Sequence, residues 1–214
     1  MTQMILTYGD SNTHGTPPMH TTDHHPRLAQ RWPVILRETL ECEVVEAGLG
    51  GRLAAGHGDP IMGDHMNGQL GLRIALASHG PIDWLTIMLG TNDLQAHHGK
   101  DARMIAAHVD ALIKIAQTDD LQNRHGGFQI LLICPPPVIA TGVFQADFAD
   151  QVETSQALAP LYAAKAAKRG VHFLDAAGHI TSSDVDGIHF DAANHLKFGQ
   201  AVAAYISNVA KTGA

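Results

Sequence analysis

Short apolar runs alternate along the chain with longer stretches whose apolar residues recur every three or four positions. Residues 4–8 form the first run and predict a buried strand. Residues 43–46, 84–89, 129–134 and 171–174 predict four more. Between them, residues 30–40 predict a helix with Trp32, Ile35, Leu36 and Leu40 on one side. Further helices are predicted over 69–78, 101–117 and 150–168. The last helix is expected to start behind Asp191 as N-cap, with Leu196, Gly199, Val202, Ile206 and Val209 on its buried face. Strands separated by helices imply a parallel sheet covered on both faces, with right-handed crossovers. With 214 residues, no internal repeat and no linker, one α/β domain over 1–214 is expected.

Composition narrows the function classes. Apolar residues make up 45% and charged residues 16%, as in a compact globular protein. The net charge of -7 leaves no cationic cluster for a nucleic-acid backbone or an anionic membrane surface. No apolar run approaches the ~20 residues of a membrane span, and no basic leader with an apolar core precedes residue 10. The expectation is a cytoplasmic protein with a small-molecule partner. Cys42 and Cys134 are too few for a disulfide framework. The 15 histidines include the doublets His24-His25 and His97-His98, but no His-Glu-x-x-His is present, so no metal is expected.

In open parallel sheets, ligands bind beyond the carboxyl ends of the strands. The residues capable of chemistry fall there. Gly9-Asp10-Ser11-Asn12 follows the first strand, Gly48-Leu49-Gly50-Gly51 the second, and Gly90-Thr91-Asn92-Asp93 the third. Asp186-Gly187-Ile188-His189 precedes the last helix. A hydroxyl nucleophile needs a base in contact and a group that orients the base. Ser11 supplies the hydroxyl, His189 the imidazole, and Asp186, three residues earlier, a carboxylate within reach of it. Acyl chemistry also needs donors for the developing oxyanion. The Asn92 amide and the backbone N–H groups of Ser11 and Gly51 are the candidates, since a glycine lets substrate approach the backbone.

These four blocks, in this order, resemble the SGNH or GDSL-like hydrolase family, whose Ser, Gly, Asn and His are matched by Ser11, Gly51, Asn92 and His189. Residues 87–93 and 185–190 look most like the bacterial arylesterase and acyltransferase branch. The resemblance implies a flavodoxin-like three-layer α/β/α sandwich with strand order 2-1-3-4-5. It also implies a cofactor-free serine esterase for short acyl or aryl esters, working through an acyl-enzyme, with acyl transfer as a side activity. Asn12 stands where the family usually has Leu. His14 and Thr16 stand where the well-known acyltransferase carries tryptophans. That branch often forms oligomers, and the long loops 16–26 and 135–148 would serve such a homo-oligomer. The substrate pocket is expected to draw on Asn12, Pro136, Val138, Ile139, Phe144 and Ile188, with residues 135–137 as a stiff wall.

Blander roles compete at each position. Ser11 alone would suit a helix N-cap, Asn92 a turn, and Asp186 an Asx turn. Asp10 and Asp93 are read as structural hydrogen-bonding groups. Arg52 would serve either a substrate carboxylate or a salt bridge. Gly48-x-Gly50-Gly51 lacks the third glycine of a dinucleotide loop, because position 53 is Leu. The usual α/β-hydrolase elbow fails because position 13 is Thr. A carbohydrate O-deacetylase, and a noncatalytic ligand-binding module on the same scaffold, are the remaining alternatives.

Overall fold

The computed structural model describes residues 2–23, 26–56 and 63–212. Five parallel strands form one sheet in the order β2-β1-β3-β4-β5. They are β1 (Met4–Gly9), β2 (Glu43–Gly48), β3 (Trp84–Met88), β4 (Gln129–Cys134) and β5 (His172–Asp175). Each lies within two residues of its predicted run, and the flavodoxin-like order is the one expected.

Alternation of side chains along the strands builds a core on each face. Leu6, Tyr8, Leu85, Ile87, Ile130 and Leu132 point to one face. There they meet α3 (Gly68–Ser78), α4 (Ala102–Ala116) and α8 (Leu158–Arg169). Ile5, Trp84, Met88, Leu131 and Ile133 point to the other, under α2 (Trp32–Leu40) and α9 (Ala192–Thr212). The central strands are apolar at nearly every position because both of their faces are covered. α2 packs on α9, where the Trp32 and Phe198 rings meet edge to face at 5.4 Å.

Helix starts follow their caps. Asp101 accepts the Met104 N–H at 2.8 Å, and Asp191 accepts the Asn194 N–H at 2.7 Å, so α4 and α9 begin where predicted. Two expectations need correction, and one helix is added to those predicted. The predicted helix over 150–168 is broken at Ala157 into α7 (Val152–Gln156) and α8, and the single turn α6 (Gln145–Phe148) precedes them. Pro160 has no N–H to give the Gln156 carbonyl, so it sits in the first turn of a new helix. A further helix, α5 (Asp119–His125), carries no apolar stripe to reveal it; only His125 is buried. Its sequence signal is the acidic first turn, basic last turn and Gly126 behind it. On α9, the expected Gly199, Val202 and Ile206 are buried and Val209 packs against the core, but Leu196 is 48% exposed, and His195, Phe198 and Ala203 complete the buried stripe.

The register sets the position of the site. Gly9 pairs with Gly48 on one side and with Met88 on the other. The loops after β1, β2 and β3 therefore leave the sheet at one level, beside the point where the strand order reverses.

Candidate active site

Immediately after β1, Asp10 caps the short helix α1 (Ser11–His14) by accepting the Asn12 N–H at 3.0 Å. Ser11 is thus the first residue of a helical turn, and Asp10, not Ser11, is its cap. The Ser11 Oγ lies 3.0 Å from His189 Nε2, and His189 Nδ1 lies 2.7 Å from Asp186 Oδ2. Asp186 is fully buried. Its Oδ1 accepts the backbone N–H groups of Ile188 and His189 at 3.2 and 3.1 Å, and its Oδ2 also accepts the Met19 N–H at 2.8 Å. The two roles weighed for Asp186, Asx turn and imidazole partner, coexist in one carboxylate. Gly187 has φ 81°, and a Cβ there would stand 1.8 Å from the Ile139 carbonyl oxygen, so only glycine fits between them.

The loop after β2 closes a tight turn, with the Arg52 N–H donating to the Leu49 carbonyl at 3.1 Å. Gly51 occupies its third position with φ 77°, the left-handed value a type II turn requires. Asn92 follows β3 and is buried, and its Nδ2 donates to the Arg52 carbonyl at 3.1 Å. Ser11, Gly50, Gly51, Asn92 and His189 line one cleft of about 210 Å³, together with Thr16, Met19, Gln95, Phe144 and Ile188. The predicted nucleophile, base and oxyanion donors therefore meet in one place, with a carboxylate behind the base.

The predicted pocket is only partly right. Phe144 and Ile188 line the cleft, and the Phe144 ring stands 6.0 Å from the His189 ring. Asn12 does not line it. Its Nδ2 donates to the Ile188 carbonyl at 3.0 Å and its Oδ1 accepts the Phe190 N–H at 3.1 Å, so it clamps the His189 loop to α1. Pro136, Val138 and Ile139 line a separate cavity of about 330 Å³. Their segment is drawn behind the His189 loop. Val138 N–H donates to Ser155 Oγ at 3.2 Å, Ile139 N–H to the Gly187 carbonyl at 2.9 Å, and Ser182 Oγ to the Pro137 carbonyl at 3.0 Å. The prolines brace the His189 loop and do not line the cleft. Thr16 and Gly50, marked in the sequence by the tryptophan positions and the second glycine block, also line the cleft, and Met19 and Gln95 are cleft residues that the sequence pattern did not single out.

Buried charge surrounds the site. Burial pushes the Asp10 carboxyl up to about 6, against the Asn12 N–H and the fields of His189 and Arg52. Burial also works against ionisation of Asp186, but its hydrogen bonds from His189 and Met19 prevail and hold it below the ordinary carboxylate range. Asp93 accepts the Ala54 N–H at 2.7 Å and pairs with Lys100 at 2.7 Å, the structural role expected of it. Arg52 takes neither expected role. Its Nη1 donates to the Gly9 carbonyl at 2.8 Å and to the Ala47 carbonyl, and its guanidinium lies 4.3 Å over the Tyr8 ring. Among the described residues, no group of three or more His, Cys, Asp and Glu is placed to hold a metal ion; His24 and His25 lie outside the described residues. No helix among the described residues is long and apolar enough to cross a membrane.

The Asp10 shift has a consequence for stability. A carboxyl whose folded value lies above its unfolded 3.8 binds more protons folded than unfolded between the two. It favours the fold at low pH, and that advantage is lost as pH rises through about 6. Asp10→Asn keeps an acceptor for the Asn12 N–H but cannot ionise. Relative to the unmutated chain, it is expected to gain up to about 3 kcal/mol between pH 4 and pH 8. Urea titrations of both proteins at the two pH values check this; an equal difference at both would contradict it.

The model of the GDSL-like Lipase/Acylhydrolase family matches residues 7–197. Among solved structures, the chain is similar to Est24, a carbohydrate acetylesterase from Sinorhizobium meliloti. Identity is 30%, coverage 97% of this chain and 99% of that one, and the TM-score 0.90. It is similar to the native aryl esterase of M. smegmatis, at 33% identity, 96% and 99% coverage and a TM-score of 0.90. A carbohydrate acetylesterase family member from Sinorhizobium meliloti aligns at 31% identity, with 95% and 97% coverage and a TM-score of 0.85. No curated protein sequence matches the chain.

Proposed function

We propose that this chain, which belongs to the GDSL-like lipase/acylhydrolase family and is a carboxylic ester hydrolase, cleaves short acyl and aryl esters with Ser11 as nucleophile, His189 as base and Asp186 as its orienting carboxylate. One observation carries the assignment: His189 stands between a hydroxyl at 3.0 Å and a buried carboxylate at 2.7 Å, one on each ring nitrogen. With Nδ1–H donating to Asp186, Nε2 presents its lone pair to Ser11. As Oγ attacks the ester carbonyl, its proton passes to Nε2 and the carbonyl oxygen becomes an oxyanion. The Ser11 and Gly51 N–H groups and the Asn92 amide receive that charge. His189 then gives the proton to the departing alkoxide, leaving an acyl-Ser11 ester. Water repeats the cycle and releases the acid.

Substrate size follows from the cleft. About 210 Å³ is below the ~300–1,000 Å³ range of drug-sized ligand pockets. Met19, Phe144 and Ile188 give it apolar lining, so a buried methylene gains roughly 0.8 kcal/mol until the space is filled. Values of kcat/KM are expected to peak between p-nitrophenyl acetate and butyrate, and to fall at octanoate and palmitate. A maximum at octanoate or beyond would contradict a cleft of this size. Est24 supports a second reading, removal of acetyl groups from a sugar. A higher kcat/KM on an acetylated sugar than on p-nitrophenyl acetate would select it.

A further inference from the structure

We propose that Arg52 is a positioning residue that holds the three oxyanion donors in one rigid frame; the proposal rests on the serine-esterase reading of the same site. The donors come from three separate loops, after β1, β2 and β3; the sheet register sets the level at which the loops leave, and the finer spacing that an oxyanion requires depends on contacts beyond the strands. Arg52 touches all three. Its Nη1 bridges the Gly9 carbonyl at the end of β1, 2.8 Å away, and the Ala47 carbonyl near the end of β2. Its backbone N–H closes the turn that carries Gly51, and its own carbonyl holds the Asn92 amide at 3.1 Å. The same Gly9 carbonyl also receives the Leu49 N–H at 3.1 Å, so the turn and the start of the Ser11 loop share one anchor.

The side chain is committed to this task. It is 8% exposed, forms no ion pair within 4 Å among the described residues, and is flattened against the Tyr8 ring. A buried guanidinium with no carboxylate in contact, its burial offset only in part by the field of the buried Asp10, is costly if stability alone is served. It is explained if a planar, always-charged donor is needed to draw two strand-end carbonyls together. Nor does it line the cleft.

Misplacement of a catalytic group by about 1 Å can cost on the order of 100-fold. Arg52→Met is therefore expected to lower kcat on p-nitrophenyl acetate by about 10- to 100-fold per active site titrated with a fluorophosphonate, with KM changed by less than about threefold. Arg52→Lys, which keeps a cation but lacks the planar fork that spans two carbonyls, is expected to recover part of that loss and to stay at least about threefold below the unmutated chain. Inhibition by butylboronic acid supplies an independent readout, because its tetrahedral adduct on Ser11 offers an oxygen to the same donors. Its Ki is expected to rise by about tenfold or more in Arg52→Met. Either variant with kcat per titrated site and boronate Ki within twofold of the unmutated chain would overturn the proposal. So would a raised KM with kcat unchanged, which marks a substrate contact. If Arg52→Met does not fold, Arg52→Lys decides alone by the same criteria. Failure of the unmutated chain to react with the fluorophosphonate would overturn the serine reading and the proposal with it, whereas labelling of the unmutated chain with Arg52→Met unimpaired would overturn the proposal alone.

Discussion

Ser11→Ala is expected to lower kcat on p-nitrophenyl acetate by about 10,000-fold or more, while the protein keeps its fold. Alanine has no oxygen to acylate, and water in its place has no pre-set position against the carbonyl. The change removes one hydroxyl from a helical turn whose cap is Asp10, so the turn itself is undisturbed. The Gly15 and Thr16 N–H groups bond to the Ser11 carbonyl, not to its side chain, and survive. His189 loses a partner at Nε2 but keeps Asp186 at Nδ1. A melting temperature near that of the unmutated chain, with turnover gone, is the expected pair of results. Retention of more than about a tenth of the rate would mean a different nucleophile or an activated water.

Asp186→Asn is expected to cost roughly 1,000- to 10,000-fold in kcat with little change in KM. The cause is tautomeric. An asparagine at this position presents its NH₂ group to Nδ1 as readily as its oxygen, which leaves the proton on Nε2 and no lone pair for Ser11. Asparagine still has one acceptor oxygen, but Asp186 now serves four N–H groups, those of Met19, Ile188 and His189 and the imidazole. Some loosening of the Met19 segment over the cleft is therefore expected beside the rate loss. Steady-state kinetics on p-nitrophenyl acetate separates the two: kcat within tenfold of the unmutated chain would remove Asp186 from the role.

The sheet was legible because its strands are short, apolar and bounded by glycine or polar residues, so residues 129–134 were read without error. Three polar blocks at strand ends and a fourth before the last helix mark the region where the cleft forms, since a parallel sheet leaves few other places for them. α5 was invisible for the opposite reason: only its last residue is buried, and apolar periodicity has nothing to record. Residues 136, 138 and 139 line a cavity apart from Ser11 because adjacency to β4 along the chain does not bring a segment beside Ser11. Where residues 135–139 go is decided by hydrogen bonds to Ser155, Ser182 and Gly187, up to 48 positions away, and no local pattern encodes them. Met19 enters the cleft through its backbone N–H on Asp186, a contact that any residue but proline makes. The Arg52 side chain was read as a charge in search of a carboxylate, whereas the structure uses it as a donor to two carbonyls.

The most direct test is the site of covalent capture. Incubation of the unmutated chain with a fluorophosphonate, followed by intact mass and peptide mapping, is expected to give one adduct per chain, on Ser11, with activity lost in proportion. The Ser11→Ala variant is expected to take up none. An adduct on another residue, or full ester hydrolysis in a protein that never takes up the label, would contradict Ser11 as the nucleophile.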